Sequence, residues 1–130
     1  MTTLKAAKAA VAASSTTMLD DQKALMHVLV MENGVSVPLA PGQSLSWSVV
    51  EIPAITKVDA TVDIKGAPST DPLAAVALGI KGTAGSSTIS ASLTNPDGTV
   101  SSVDFPFTIT LDPAELDAVL TGTVDAPVVQ

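Results

Sequence analysis

From residue 87 to residue 111 the chain alternates between apolar and polar side chains, and this alternation limits what the remainder can become. Ile89, Ala91 and Leu93 fall on one side of an extended backbone, with Ser90 and Ser92 on the other. After Asn95-Pro96-Asp97-Gly98 the pattern resumes, with Val103, Phe105, Phe107, Ile109 and Leu111 set against Asp104, Thr108 and Thr110. A period of two is the signature of a half-buried strand, because successive side chains point to opposite faces. Proline fixes φ in the intervening tetrapeptide and glycine tolerates positive φ, so the two runs are expected to form an antiparallel hairpin. Both phenylalanines sit on its inner face, which places the centre of the core here.

Other stretches repeat the pattern. Leu45, Trp47 and Val49 alternate with Ser44, Ser46 and Ser48, making Trp47 a core anchor rather than an exposed sugar platform. Residues 57–65 set Val58, Ala60, Val62 and Ile64 against Lys57, Asp59, Thr61, Asp63 and Lys65, a strand with one charged face. Residues 24–31 are apolar on both faces apart from His27 and run into Glu32-Asn33-Gly34, so a buried strand and tight turn are expected. A short return over Val35, Ser36 and Val37 then ends at Pro38. Residues 73–80 have helical propensity, but Gly79 and the flanking sheet segments favour a strand. Asp112-Pro113 breaks the chain, and residues 116–124 are expected to supply a closing strand.

With 130 residues there is enough chain for one domain to bury a core without metal or disulfide help. That core has to be built from Val, Ile, Leu and Ala, since Trp47, Phe105 and Phe107 are the only aromatics. The expected fold is all-β: an immunoglobulin-like antiparallel β-sandwich of seven or eight strands spanning residues 20–130, preceded by an N-terminal Ala-rich arm, residues 1–19.

The arm differs from the body. Lys5 and Lys8 are its only charges, whereas the body is acidic. Residues 4–13 favour helix but are too few to hold one alone in water, so the arm is expected to order on a partner, as a short helix or extended, with residues 14–17 as linker. Leu4, Lys5, Lys8, Val11, Met18 and Leu19 are the candidate partner-contact residues. The apolar run after Lys8 is nearly all alanine and makes a poor secretory leader. No stretch has the ~20 apolar residues of a membrane helix, and no membrane partner is expected.

Composition excludes much chemistry. A net charge of −7, with six lysines and no arginine, disfavours nucleic acid, whose phosphates call for clustered cations. Without cysteine there is no disulfide framework, thiolate metal site or cysteine nucleophile. His27 is the lone histidine, with no second imidazole to share a metal and no Gly-x-Ser-x-Gly elbow to serve, so it is read as a packed or surface side chain. Asp59 and Asp63 would lie nearly 7 Å apart along a strand face and would not converge on calcium. Residues 82–85 lack the lysine of a phosphate-binding loop. No catalytic residue, metal or cofactor is expected.

Met31-Glu32-Asn33-Gly34-Val35-Ser36-Val37-Pro38, Leu45-Ser46-Trp47-Ser48-Val49, the run from Gly79 through Gly82-Thr83-Ala84-Gly85 to Ala91, and Phe107-Thr108-Ile109-Thr110-Leu111 together resemble the bacterial immunoglobulin-like modules. They resemble in particular the small single-domain versions encoded among tailed-phage structural genes. The resemblance covers roughly residues 24–130. It implies a non-enzymatic virion protein that decorates the capsid exterior, partnered by the major capsid protein or other virion subunits, with self-association on the particle as a further contact. The alternative it leaves is a bacterial surface or secreted module for adhesion or glycan contact.

Overall fold

The computed structural model describes residues 8–9, 15–113 and 122–130, and the described chain is all-β. Ten strands follow in order: β1 (Lys8–Ala9), β2 (Thr16–Leu19), β3 (Lys23–His27), β4 (Val30–Glu32), β5 (Val35–Val37), β6 (Ser44–Val49), β7 (Thr56–Asp59), β8 (Ala74–Gly79), β9 (Gly85–Thr94) and β10 (Val100–Thr110). The hairpin expected from the alternation is the longest ladder, with ten Cα pairs running from Val100 opposite Thr94 to Ile109 opposite Gly85. β6 pairs antiparallel with the other side of β9, and β2 lies parallel to β10, giving a four-stranded sheet ordered β2-β10-β9-β6. A second sheet is ordered β3-β8-β7, and a small third one β1-β4-β5.

The first two sheets face each other across the core. Met18, Ile89, Phe107 and Ile109 from one meet Met26, Ala75 and Ala77 from the other, and all seven are buried. Two adjoining clusters extend this layer, one around Val28, Ala91 and Val103 and one around Val30, Leu73 and Leu93. Trp47 is half-buried, packs against two of the clusters, and stands 5.7 Å from Phe105 between ring centroids. Alanines at 75 and 77 let the layers approach closely, while the β-branched and aromatic residues opposite fill the space. Among the described residues, two inward strand positions are polar. Ser87 is buried on β9, and its hydroxyl meets that of Thr56 on β7 at 2.7 Å, a hydrogen bond between the two layers.

The structure departs from the alternation in four places. Residues 57–65 hold strand geometry only through Asp59, because the Asp59 carboxylate accepts from the N–H and hydroxyl of Thr61 and turns the chain. Asp63 repeats this with the N–H groups of Lys65 and Ala67. Such side-chain bonds compete with the sheet ladder for the same backbone donors. Residues 24–31 keep one inner face, Met26, Val28 and Val30, but divide between two sheets after His27. Leu111 lies beyond β10 and is largely exposed rather than inward. Residues 122–124, expected at the end of a closing strand, are not in a strand, and residues 116–121 lie outside the described residues.

Thr16 and Thr17, expected in a linker over residues 14–17, instead open β2, and Met18 opposite Ile109 is buried in the core. The turn that follows is held by Asp20, whose side chain is fully buried. Its Oδ2 accepts the N–H of Gly82 at 2.6 Å and its Oδ1 the N–H of Asp112 at 3.1 Å, so one carboxylate joins three segments. Gly79 passes so close that a Cβ there would stand 2.5 Å from the carbonyl oxygen of Asp20. At the opposite end of the long ladder, buried Asn95 plays the matching part. Its Oδ1 accepts from Gln43 Nε2 at 2.9 Å and its Nδ2 donates to the hydroxyl of Thr99 at 3.1 Å.

Candidate interaction surface

The same alternation that buries one face of the four-stranded sheet determines what the other presents. Register sets Ser48 beside Ser90 and Ser90 beside Asp104, then Ser46 beside Ser92 and Ser92 beside Ser102, then Ser44 beside Thr94. Thr17, Thr108 and Ser86 make a similar row at the far end. Neighbouring strands stand ~4.8 Å apart and same-face residues nearly 7 Å apart, so hydroxyls recur across this face on a regular grid. Ser92 and Ser102 are close enough to bond each other, at 3.1 Å. A hydroxyl both donates and accepts, so the grid can meet a partner of either polarity without the desolvation cost of fixed charge.

The edges of the sheets differ in how they are finished. β5 runs into Pro38, β7 carries Lys57 and Asp59, and β2 has only four residues. β6 has six residues, no charge and no proline, and among the described residues it pairs only with β9. Charges, prolines and short length are the usual devices that keep a sheet edge from taking on another strand. The N–H of Val50 donates to Thr88 O, which fixes the even-numbered residues of β6 as those bonded to β9. The backbone groups of Leu45, Trp47 and Val49 therefore face outward along the edge.

His27 ends β3, and its Nε2 stands 2.9 Å from Asp71 Oδ2, with both side chains about half exposed. The other Asp71 oxygen accepts the N–H of Leu73, and the hydroxyl of Ser69 is engaged with the Asp71 main chain. The imidazole thus ties β3 to the loop entering β8. Asp59 and Asp63, weighed above as calcium ligands, bond their own backbone, and no group of three His, Asp or Glu side chains among the described residues is arranged to hold a metal ion.

Several carboxylates are tuned by local bonds. Burial alone would push the Glu51 carboxyl up, but the N–H of Thr88 at 2.8 Å and the hydroxyls of Thr88 and Ser87 outweigh it and hold the group below its ordinary value. The hydroxyl and N–H of Thr61 hold Asp59 down, and those of Thr99 do the same for Asp97. Asp21 moves the other way, raised by a hydrogen bond and like charge from the Asp112 carboxyl.

Of the residues expected to touch a partner, Leu4, Lys5 and Val11 lie outside the described residues. Lys8 pairs through its backbone with Met31. Leu19 is half-buried opposite Thr110, and Met18 packs into the core of its own domain. The hydroxyl grid and the plain edge of β6 were present in the serine alternation of residues 44–49, but pairing order, which decides that β6 is an edge, is not written in a single strand. No protein-family model matches the chain, and no curated protein matches it in sequence.

Proposed function

We propose that this chain is a non-enzymatic virion structural protein, an immunoglobulin-like module that decorates the outer surface of a capsid by binding its subunits. The strand order supports the immunoglobulin-like part. The order β3-β8-β7 opposite β10-β9-β6 follows the B-E-D and G-F-C arrangement of that sandwich, with Trp47 on the strand in the C position. The observation that carries the functional part is the hydroxyl grid. It is a broad, nearly uncharged face on a chain of net charge −7, suited to polar contacts that are individually weak and that gain strength when many copies sit on one symmetric shell.

The N-terminal arm is the second contact. Because Thr16–Leu19 belongs to the sheet, the truncation that tests the arm removes residues 1–14 and keeps Met18 in place. The expected result is a folded domain that no longer loads onto capsids, while the full chain appears on purified particles by mass spectrometry and as surface density by electron cryomicroscopy. Particles that lack the protein, with the chain recovered from the bacterial surface instead, would replace this reading with the adhesion module. Normal loading of the truncation would remove the arm and leave the sheet face as the contact.

A further inference from the structure

The plain edge of β6 has a counterpart elsewhere in the chain. Residues 122–130 read Gly-Thr-Val-Asp-Ala-Pro-Val-Val-Gln and are exposed throughout, with Val124, Val128 and Val129 at 96%, 87% and 98%. Isolated exposed valines are ordinary on a surface, but three within six residues of unpaired backbone form an apolar segment with no ladder to join. β6 supplies outward N–H and C=O groups at Leu45, Trp47 and Val49. Beyond its end, Val50 and Ile52 are exposed at 57% and 97%.

We infer that residues 122–130 of one copy add as a strand to the β6 edge of a second copy, and that the exchange is reciprocal, giving a two-fold dimer. Three features support the second copy as occupant. β6 itself and residues 122–130 contain one charged side chain, Asp125, and Glu51, just past the end of β6, is engaged by the N–H of Thr88, so two chains of net charge −7 can approach along β6 with little of the repulsion they meet elsewhere. Pro127 lacks a backbone donor and is tolerated in an added strand, because that strand becomes the new edge. One tail on one edge buries on the order of half the ~1,600 Å² of a stable interface, so a single insertion falls short and two reciprocal insertions reach it. Main-chain bonds would give the affinity and the valines the register, as in strand addition generally.

Light scattering on the eluting full chain tests this. The expected species has twice the 13.0 kDa chain mass and dissociates on dilution. Val124→Asp with Val128→Asp, at side chains that touch almost nothing in the monomer, is expected to give the single-chain mass with the melting curve of the parent diluted to its dissociated form. Ser46→Glu with Ser48→Glu, on the exposed face of β6, is expected to do the same by setting charge beside Asp125. The chain has no cysteine, so mixing a Ser46→Cys protein with an Ala126→Cys protein under oxidising conditions reports only contacts between copies, and a mixed disulfide is expected. A parent chain that stays at 13.0 kDa at every concentration overturns the inference, as does a dimer that survives the tail substitutions. Mass that grows without limit overturns the reciprocal closure.

Discussion

The two ends of the long β9–β10 ladder are each closed by one buried polar side chain, and the two solutions differ. At the Asn95 end the residue is neutral, and its amide joins the side chain of Gln43 to Thr99 of its own turn. At the Asp20 end it is a carboxylate, and its partners are backbone N–H groups of segments far away in sequence. The first is a local turn reinforced by one distant contact. The second is a junction on which the end of β2, the β8–β9 turn and the end of β10 all depend. The difference teaches that hydrogen bonds equally short on paper stabilise very different amounts of structure, according to how much chain they join.

The sharpest break in the comparison is Asp20→Ala. It removes a fully buried carboxylate and with it the acceptor that ties Gly82 and Asp112 to the turn, and should cost about 3 kcal/mol, read as a fall in the urea midpoint. Asn95→Ala should cost less, about 1–2 kcal/mol, because it removes a neutral group whose bonds to Thr99 stay within one turn and which reaches far along the chain to Gln43. If the two variants are equally destabilised, the junction is no more than a second turn. Gly79→Ala approaches the Asp20 end from the other side: the added methyl meets backbone, which cannot swing away, and about 1–3 kcal/mol is expected. Smaller than these is Asp97→Ala, which removes the bonds to Thr99 and should lower the melting temperature slightly while increasing hydrogen exchange at the tip of the hairpin.

The gentlest probe is acid, and it should act on the two ends with opposite sign. The Asp97 carboxyl is more acidic in the folded chain, so its contribution is complete above about pH 4 and disappears as the pH falls through its lowered value. Asp21 is less acidic when folded, so its ionisation weighs against the folded state. That penalty is absent in acid and sets in as the pH rises through the usual aspartate range, about 4, toward the raised value. Carboxyl carbon shifts followed by NMR should show Asp97 titrating below Asp21. A common midpoint would erase the contrast. Glu51 and Asp59 titrate in the same sense as Asp97, so overall stability should decline in acid.

What the sequence disclosed follows the same division. The Asn95 end was legible because Asn95-Pro96-Asp97-Gly98 is local turn chemistry between two alternating runs, and Gly98 adopts the positive φ expected of it. The β4–β5 turn was legible for the same reason, with Asn33 and Gly34 both at positive φ. The Asp20 end was not, since an aspartate after Thr-Thr-Met-Leu looks like the start of an acidic surface, and only the pairing of β2 with β10 brings its partners together. Residues 57–65 carry the opposite lesson. Their alternation was as regular as that of the hairpin, but Asp59 followed by Thr61 makes the same local bonds as Asp97 followed by Thr99, and the motif turned the chain where a strand was expected. Of the candidate surface, the serine grid could be read from one strand at a time, whereas the open edge depended on knowing which strand comes last.

The parallel seat of β2 against β10 has a consequence for synthesis. A nascent chain leaving the ribosome exposes Met18 long before the strand it belongs beside, with Ile109 opposite. β2 must therefore wait with its methionine uncovered, and its sheet cannot be completed until β10 has emerged. Folding that depends on such distant pairings is slow compared with folding from local contacts, which makes β2 the natural place for a chaperone to hold.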